Sequence, residues 1–254
     1  MNKNLNIQTK KWRDLLQRIL DVIIFLGERG LAFRGHVEEF GNPHNGNFLG
    51  LIELLSHYDP ILKEHVMRIS KSHEEGKKLQ AHYLSAKIQN EFIHLCGEKV
   101  RSCVLAERES AKYYLIMVDA TPDISCQEQS TFVFRYVLPT EDGYVVKERF
   151  FVFVNDNGKK GKEIAELIVS FLKDVLVPLQ DCRGQGYDNA SNMSGKYNGT
   201  QALMIEKNPL ILYSPCGCHS LNLCGNDAAK CCVAAVTFFG MVQTVYVFFR
   251  SSPK

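Results

Sequence analysis

Apolar side chains recur at helical spacing through the first part of the chain and then give way to short continuous runs. Trp12, Leu15, Leu16, Ile19 and Leu20 fall on one helical face. Gly27, Gly30, Gly35 and then Gly41-Asn42-Pro43-His44-Asn45-Gly46-Asn47 read as loop. Helix resumes over 48–56, and Asp59-Pro60 opens another at Ile61. A Lys- and Glu-rich helix is predicted over 74–95 and a further one over 98–110.

The period changes near Lys112. Tyr113-Tyr114-Leu115-Ile116-Met117-Val118 is a buried-strand run that stops at Asp119. A second strand is predicted over 131–138 and a third over 144–154. The turn signal Glu141-Asp142-Gly143 joins them as a hairpin. Over 159–176, Ile164, Leu167, Ile168, Phe171, Leu172 and Val175 share a face, and Pro178 limits that helix. A fourth strand is expected near 182–187, ending at Asp188. Helix follows over 199–207, a fifth strand at Leu210-Ile211-Leu212-Tyr213 that ends near Cys216, and helix again over 219–230.

The expected fold class is α/β: a helical N-terminal region, 1–110, followed by a partial RNase H-like mixed sheet with flanking helices over 111–254. Three strands form an antiparallel meander, and the fourth returns parallel to the first through a right-handed helical crossover.

Composition adds little direction. The 254 residues carry 30 basic and 28 acidic side chains, too balanced to imply nucleic-acid binding from charge alone. Nine cysteines, with Cys231 beside Cys232, form no regular framework, so an intracellular protein with reduced thiols is expected. No membrane association is expected. Val22-Ile23-Ile24-Phe25-Leu26 is too short to span a bilayer. The apolar tail over 233–249 contains Thr237, Gln243 and Thr244 and reads as a buried helix or strand.

The expected topology makes the first and fourth strands central neighbours. Asp119 and Asp188 would then meet at one sheet edge, where paired carboxylates suit divalent-metal chemistry on phosphodiesters. A lone Asp at a strand end is most often a cap, so the surrounding residues matter. Val118-Asp119-Ala120-Thr121-Pro122-Asp123-Ile124-Ser125 and Gly186-Tyr187-Asp188-Asn189-Ala190-Ser191-Asn192-Met193-Ser194-Gly195 resemble hAT-type transposases. The closer likeness is to the zinc finger MYM-type-like and TTF-type zinc finger proteins derived from them. Leu31-Ala32-Phe33-Arg34-Gly35-His36 with Gly46-Asn47-Phe48-Leu49 resembles the segment preceding their core. Cys216-Gly217-Cys218-His219-Ser220-Leu221-Asn222-Leu223 resembles their Cys-x-x-His-x-Leu-Asn-Leu motif. The likeness covers roughly residues 12–230.

The resemblance implies that Asp119 and Asp188 match the first two catalytic and metal-binding carboxylates, that Mg²⁺ or Mn²⁺ is the cofactor of an active site, and that His219 lies close to it. It also implies a nuclear location, with DNA or protein partners. The third carboxylate, a downstream Glu, is not matched, nor are the helical insertion, the dimerisation segment and the preceding zinc finger. The core is therefore expected to be truncated: a fragment, a shortened gene product or a decayed element. Glu163 and Glu166 are expected to be solvated helix residues rather than substitutes for that Glu.

Other motifs are read conservatively. Cys216, Cys218, His219 and Cys224 crowd into nine residues without a second spaced pair, so zinc is not expected, and Cys216 and His219 read as a strand end and a helix start. Gly184-x-Gly186 lacks nucleotide-loop spacing. Lys159-Lys160-x-Lys162 and the cluster Lys71, His73, Lys77 and Lys78 read as solvated surface. Three functions stay open: a transposase-derived protein without intact catalysis, a metal-dependent nuclease whose third carboxylate comes from elsewhere, and a protein-interaction module. The exposed apolar tail of a half-finished sheet would favour aggregation.

Overall fold

The computed structural model describes residues 2–76, 82–122, 128–155, 158 and 160–251. Asp123, Ile124, Ser125, Lys77, Lys78, Lys159 and residues 252–254 lie outside the described residues. The chain divides into two compact units, 1–101 and 102–254.

The first unit contains α1 (Asn2–Glu28), α2 (Gly46–Ser56), α3 (Pro60–Glu74) and the start of α4 (Ala86–Ala111). Its core joins Leu15, Ile19, Val22, Ile23 and Leu26 of α1 to Phe48, Leu49 and Ile52 of α2 and Leu62 and Ile69 of α3. Asp59 begins α3 as an N-cap does, its Oδ1 accepting the N–H groups of Ile61 (2.9 Å) and Leu62 (3.0 Å). Two glycines where the chain enters α2 are steric requirements. A Cβ on Gly35 would lie 2.0 Å from the carbonyl oxygen of His44, and Gly46 sits at φ +85° against Arg34 and Gly35. Of the two helices expected over 74–95 and 98–110, the first starts later than expected: α3 runs to Glu74, residues 75–76 and 82–85 are not helical, and from Ala86 both stretches form one helix, α4. The apparent break at Gly97 is only a weak position in a continuous helix, where glycine costs about 1 kcal/mol but does not remove a hydrogen bond as proline would.

The second unit is a five-stranded mixed sheet of order β3-β2-β1-β4-β5. Its strands are β1 (Tyr114–Pro122), β2 (Glu128–Thr140), β3 (Gly143–Asn155), β4 (Cys182–Tyr187) and β5 (Leu212–Pro215). β1, β2 and β3 form the antiparallel meander, and β4 pairs parallel to β1 after α5 (Gly161–Asp174). This is the topology expected from the sequence. A short helix, α6 (Ser191–Ser194), and α7 (Thr200–Lys207) lead to β5, which pairs parallel to β4.

One face of this sheet carries the core. Tyr114, Ile116 and Val118 of β1 pack beside Phe132, Phe134 and Tyr136 of β2, under Ile164, Ala165, Ile168, Phe171 and Leu172 of α5. A bulge in β3 turns Phe151 inward to join Phe132, Phe134 and Phe171, with ring centroids 4.2–6.2 Å apart. α5 is closed just beyond its C-cap, Val175: Leu176 adopts φ +56° while the N–H of Val177 returns to the carbonyl of Leu172 (2.8 Å).

Two helices close the chain, α8 (Gly217–Lys230) and α9 (Val233–Ser251). Neither buries a large side chain. The tail expected to be a buried helix or strand is a helix, but an exposed one. By length and composition it is apolar enough to cross a membrane. Its burial was inferred from composition, which does not say whether another element lies within reach.

Candidate functional site

β1 and β4 bring the site together. Their parallel register runs Leu115 beside Gly184, Ile116 beside Gln185 and Met117 beside Gly186. β1 continues past that point, still paired with β2, so Asp119 lies inside the strand opposite Thr131 and not at its end as expected. β4 stops at Tyr187, and Asp188 follows directly. Carrying the register forward two residues places Asp119 beside Asp188.

Alternation fixes which way β1 faces. Tyr114, Ile116 and Val118 are buried under α5, so Leu115, Met117 and Asp119 lie on the opposite face. The backbone of β4 is low there: a Cβ on Gly184 would lie 2.6 Å from Leu115 Cδ1, and one on Gly186 would lie 3.1 Å from Met117 Cγ. The two glycines make room for those side chains and leave a trough beside the carboxylates.

The trough is a cavity of about 750 Å³. Asp119 and Asp188 line it, together with Thr131, Cys216, Cys218 and His219. The sequence candidates from the two strand ends and from the Cys-x-x-His segment therefore border one cavity. Cys224 does not, and it is exposed. Glu163 caps α5, accepting the N–H of Lys160 at 3.1 Å, and Glu166 lies 3.9 Å from Lys162. Neither Glu lines the cavity.

Asp188 is held by local bonds. Its Oδ1 accepts the N–H of Ala190 (3.1 Å), an Asx turn, and its carbonyl accepts the hydroxyl of Tyr213 (3.1 Å). Burial, with Asp188 and Cys216 adding, raises the pKa of that Tyr213 hydroxyl, so it remains a proton donor. Cys216 ties β5 to β4 through its N–H to the carbonyl of Tyr187 (2.8 Å), and it N-caps α8. Asn189 donates to Ser220 on α8 (2.9 Å). His219 is half-buried in the first turn of α8, where helical N–H groups have no intrahelical partner, and Cys216, Gly217, Cys218 and His219 all line the cavity.

Sequence reading overlooked one feature of the cavity wall, the exposed Arg135–Glu148 ion pair at 2.8 Å. The signal was present. Thr131, Val133 and Arg135 alternate with the buried Phe132, Phe134 and Tyr136, so they had to line the other face.

The donor set suits a hard cation only in part. Two carboxylates supply oxygen ligands of the kind Mg²⁺ and Mn²⁺ prefer. Among the described residues, no three His, Cys, Asp or Glu side chains converge closely enough to hold a metal ion by themselves.

Known proteins bear on the same region. The chain is similar to the "52 kDa repressor of the inhibitor of the protein kinase" of Mus musculus (20% identical) and to that of Homo sapiens (21% identical). Each alignment covers 98% of this chain and 32% of the relative, so the chain spans about a third of the length of these relatives. Residues 1–199 match the family DUF4371, described as "ZMYM1/FAM200, RNase-like domain", a match that contains Asp119 and Asp188 but not Cys216 or His219. With the match covering well over half of the chain, this protein belongs to the DUF4371 family of ZMYM1/FAM200 RNase-like domains.

Proposed function

We propose that the chain is a transposase-derived protein of hAT type that binds a divalent cation weakly through Asp119 and Asp188, does not cut DNA by itself, and acts through DNA or protein partners in the nucleus. The observation that carries this reading is the register of β1 and β4, which brings both carboxylates to one cavity. Mg²⁺ or Mn²⁺ held there would neutralise charge on a phosphate oxygen. His219 and the first-turn N–H groups of α8 border the same space and suit a phosphate group as hydrogen-bond donors. With two carboxylates converging among the described residues, one cation with several retained waters is the reading, not a two-metal pair. The relatives named as repressors favour a regulatory role over cleavage.

The test is calorimetric titration of the purified chain with Mn²⁺, with Asp119→Asn and Asp188→Asn as controls, followed by incubation with supercoiled plasmid. The expected result is weak binding lost in both variants, without nicking. No binding by a folded wild-type chain removes the metal site. Nicking that both substitutions abolish revives the nuclease reading, with the third carboxylate contributed by another molecule.

A further inference from the structure

A buried charge without a partner lies at the end of the sheet opposite Asp119 and Asp188. Arg108, in the last turn of α4, is 7% exposed, and its Nε has no hydrogen-bond partner among the described residues. A guanidinium does not lose its proton in a protein, so the charge stays in a poorly solvated position that an anion would stabilise. Its Cζ lies 5.9 Å from the ring centroid of Tyr114, the first residue of β1.

Two further cations gather where β1 starts. Arg183 Cζ lies 4.2 Å and Lys112 Nζ 5.3 Å from the ring centroid of the half-exposed Tyr113. Three cations thus rest on two consecutive tyrosines. The backbone places them. The β1–β4 register slips between Tyr114–Cys182 and Leu115–Gly184, and Arg183 is the extra residue of that bulge. Its Nη1 donates to the carbonyls of Gln180 (2.6 Å) and Cys182 (3.0 Å). Lys112 holds φ +64° in the turn from α4 to β1, a conformation costly for a side chain other than glycine.

Carboxylates do not neutralise the group. Arg18, Arg101, Arg135 and Arg149 each pair with an acidic side chain. Among the described residues, Arg108, Lys112 and Arg183 form no salt bridge. Burial raises the pKa of the Tyr114 hydroxyl, Cys182 and Asp181 add to this, and Arg108 opposes it, so Asp181 is the nearby carboxylate, yet it pairs with none of the three.

The whole chain carries 30 basic and 28 acidic residues, so any attraction for a polyanion has to be local. Guanidinium groups stacked on aromatic rings are flat, oriented and weakly hydrated, which suits the paired oxygens of a phosphodiester. Several cations held at fixed positions suit a ligand whose phosphates repeat along a strand. We propose that Arg108, Lys112 and Arg183 form a surface that holds the phosphate backbone of double-stranded DNA without reading its bases. This surface rests on the reading of DNA as a partner, but not on a cation at Asp119 and Asp188.

Fluorescence anisotropy of the full chain with a labelled duplex of about 20 base pairs, in EDTA and from about 50 to 200 mM KCl, tests the proposal. The variants are Lys112→Asn with Arg183→Gln, and Arg108→Met alone. Lys10→Ala with Lys63→Ala, two exposed positions elsewhere, is the control. Circular dichroism and thermal melts check the fold of each. The wild type is expected to bind. The slope of log affinity against log salt should fall by about 2 in the double variant, with at least tenfold weaker binding, and the control should keep the wild-type slope. Arg108→Met should weaken binding about fivefold without lowering Tm, because an apolar side chain replaces an unpaired buried charge. A wild type that does not bind overturns both this surface and DNA as a partner. Binding with an unchanged slope in the double variant overturns the surface alone. So does an equal loss in the control, which makes net charge the cause, and so does an Arg108→Met variant that melts lower yet binds normally. Sedimentation with phosphatidylserine vesicles in place of duplex binding assigns the cations to a membrane and overturns the proposal as well.

Discussion

Asp119 and Asp188 stand two residues beyond the last parallel rung of β1 and β4, Met117 beside Gly186, and both border the trough that Gly184 and Gly186 leave open. Because the strands are parallel and in register, both residues project from the same face. Moving either strand by one residue would send one carboxylate to the α5 side.

The two carboxylates differ in what else they do. Asp188 Oδ1 also accepts the N–H of Ala190, a bond that asparagine can retain. Asp188→Asn is therefore expected to abolish Mn²⁺ binding with little change in thermal stability, whereas Asp188→Ala also loses the turn and about 1 kcal/mol. Calorimetry and thermal melts on both variants separate the effects.

Gly161 opens α5 under tight backbone contacts. A Cβ there would lie 2.4 Å from the carbonyl oxygen of Asn198 and 2.5 Å from that of Asn192. Gly161→Ala is expected to destabilise the second unit by about 2–3 kcal/mol, read by chemical denaturation.

Leu176 gives the opposite case. It is 86% exposed and holds φ +56° at the end of α5. Leu176→Gly relieves the left-handed strain without losing a buried contact, and it is expected to stabilise the protein by about 1 kcal/mol in the same assay.

His65 should make the first unit acid-sensitive. It is 5% exposed. Its Nε2 donates to the carbonyl of His82 (2.7 Å), which leaves Nδ1 facing Arg68 at 3.4 Å. Burial lowers its pKa below the usual histidine value, the His82 bond opposes this, and Arg68 adds to the lowering. Folding therefore favours the neutral ring. Above about pH 6.5 both states are neutral and stability is unaffected; as pH falls below that value the unfolded chain takes up a proton that the folded chain refuses, and stability declines. Tm measured from pH 8 to pH 5 should fall over the lower part of that range, and His65→Gln should flatten the fall.

Glu107 responds at lower pH. Arg149, at 3.1 and 3.2 Å, and the Tyr136 hydroxyl, at 2.6 Å, hold its pKa below the ordinary glutamate range. Its contribution to stability is present above about pH 4.3 and is lost as pH falls through the depressed value. Glu107→Gln is expected to cost about 1 kcal/mol at pH 7, since the pair is part-exposed, and to remove that acid dependence from the denaturation midpoint.

The order of strands and helices in the second unit was legible because each carries its own period, continuous apolar runs for β1 and β2 and a 3.6-residue repeat for α5. The parallel return of β4 followed from the handedness of a strand–helix–strand crossover, although β4 itself, Cys182–Tyr187, is poor in the residues that favour strands. Asp119 could be named where the apolar run of β1 stops, whereas Asp188 follows a strand of mixed composition and was named from the expected strand order and from the resemblance of residues 186–195 to hAT-type transposases. What a chain dictates locally stops there. That α4 continues through Gly97 could not be read from propensity, because a glycine lowers helix stability without forbidding the helix. The depth of the trough, the capping of α5 by Glu163 and the position of Cys216 and His219 beside residues about 30 and 100 positions earlier depend on long-range packing, which leaves no periodic trace in the sequence. α9 marks the limit most clearly. Its composition, seventeen residues without a charge, read as a buried element, but burial depends on which elements come within reach, and only the tertiary structure decided that its side chains are exposed among the described residues.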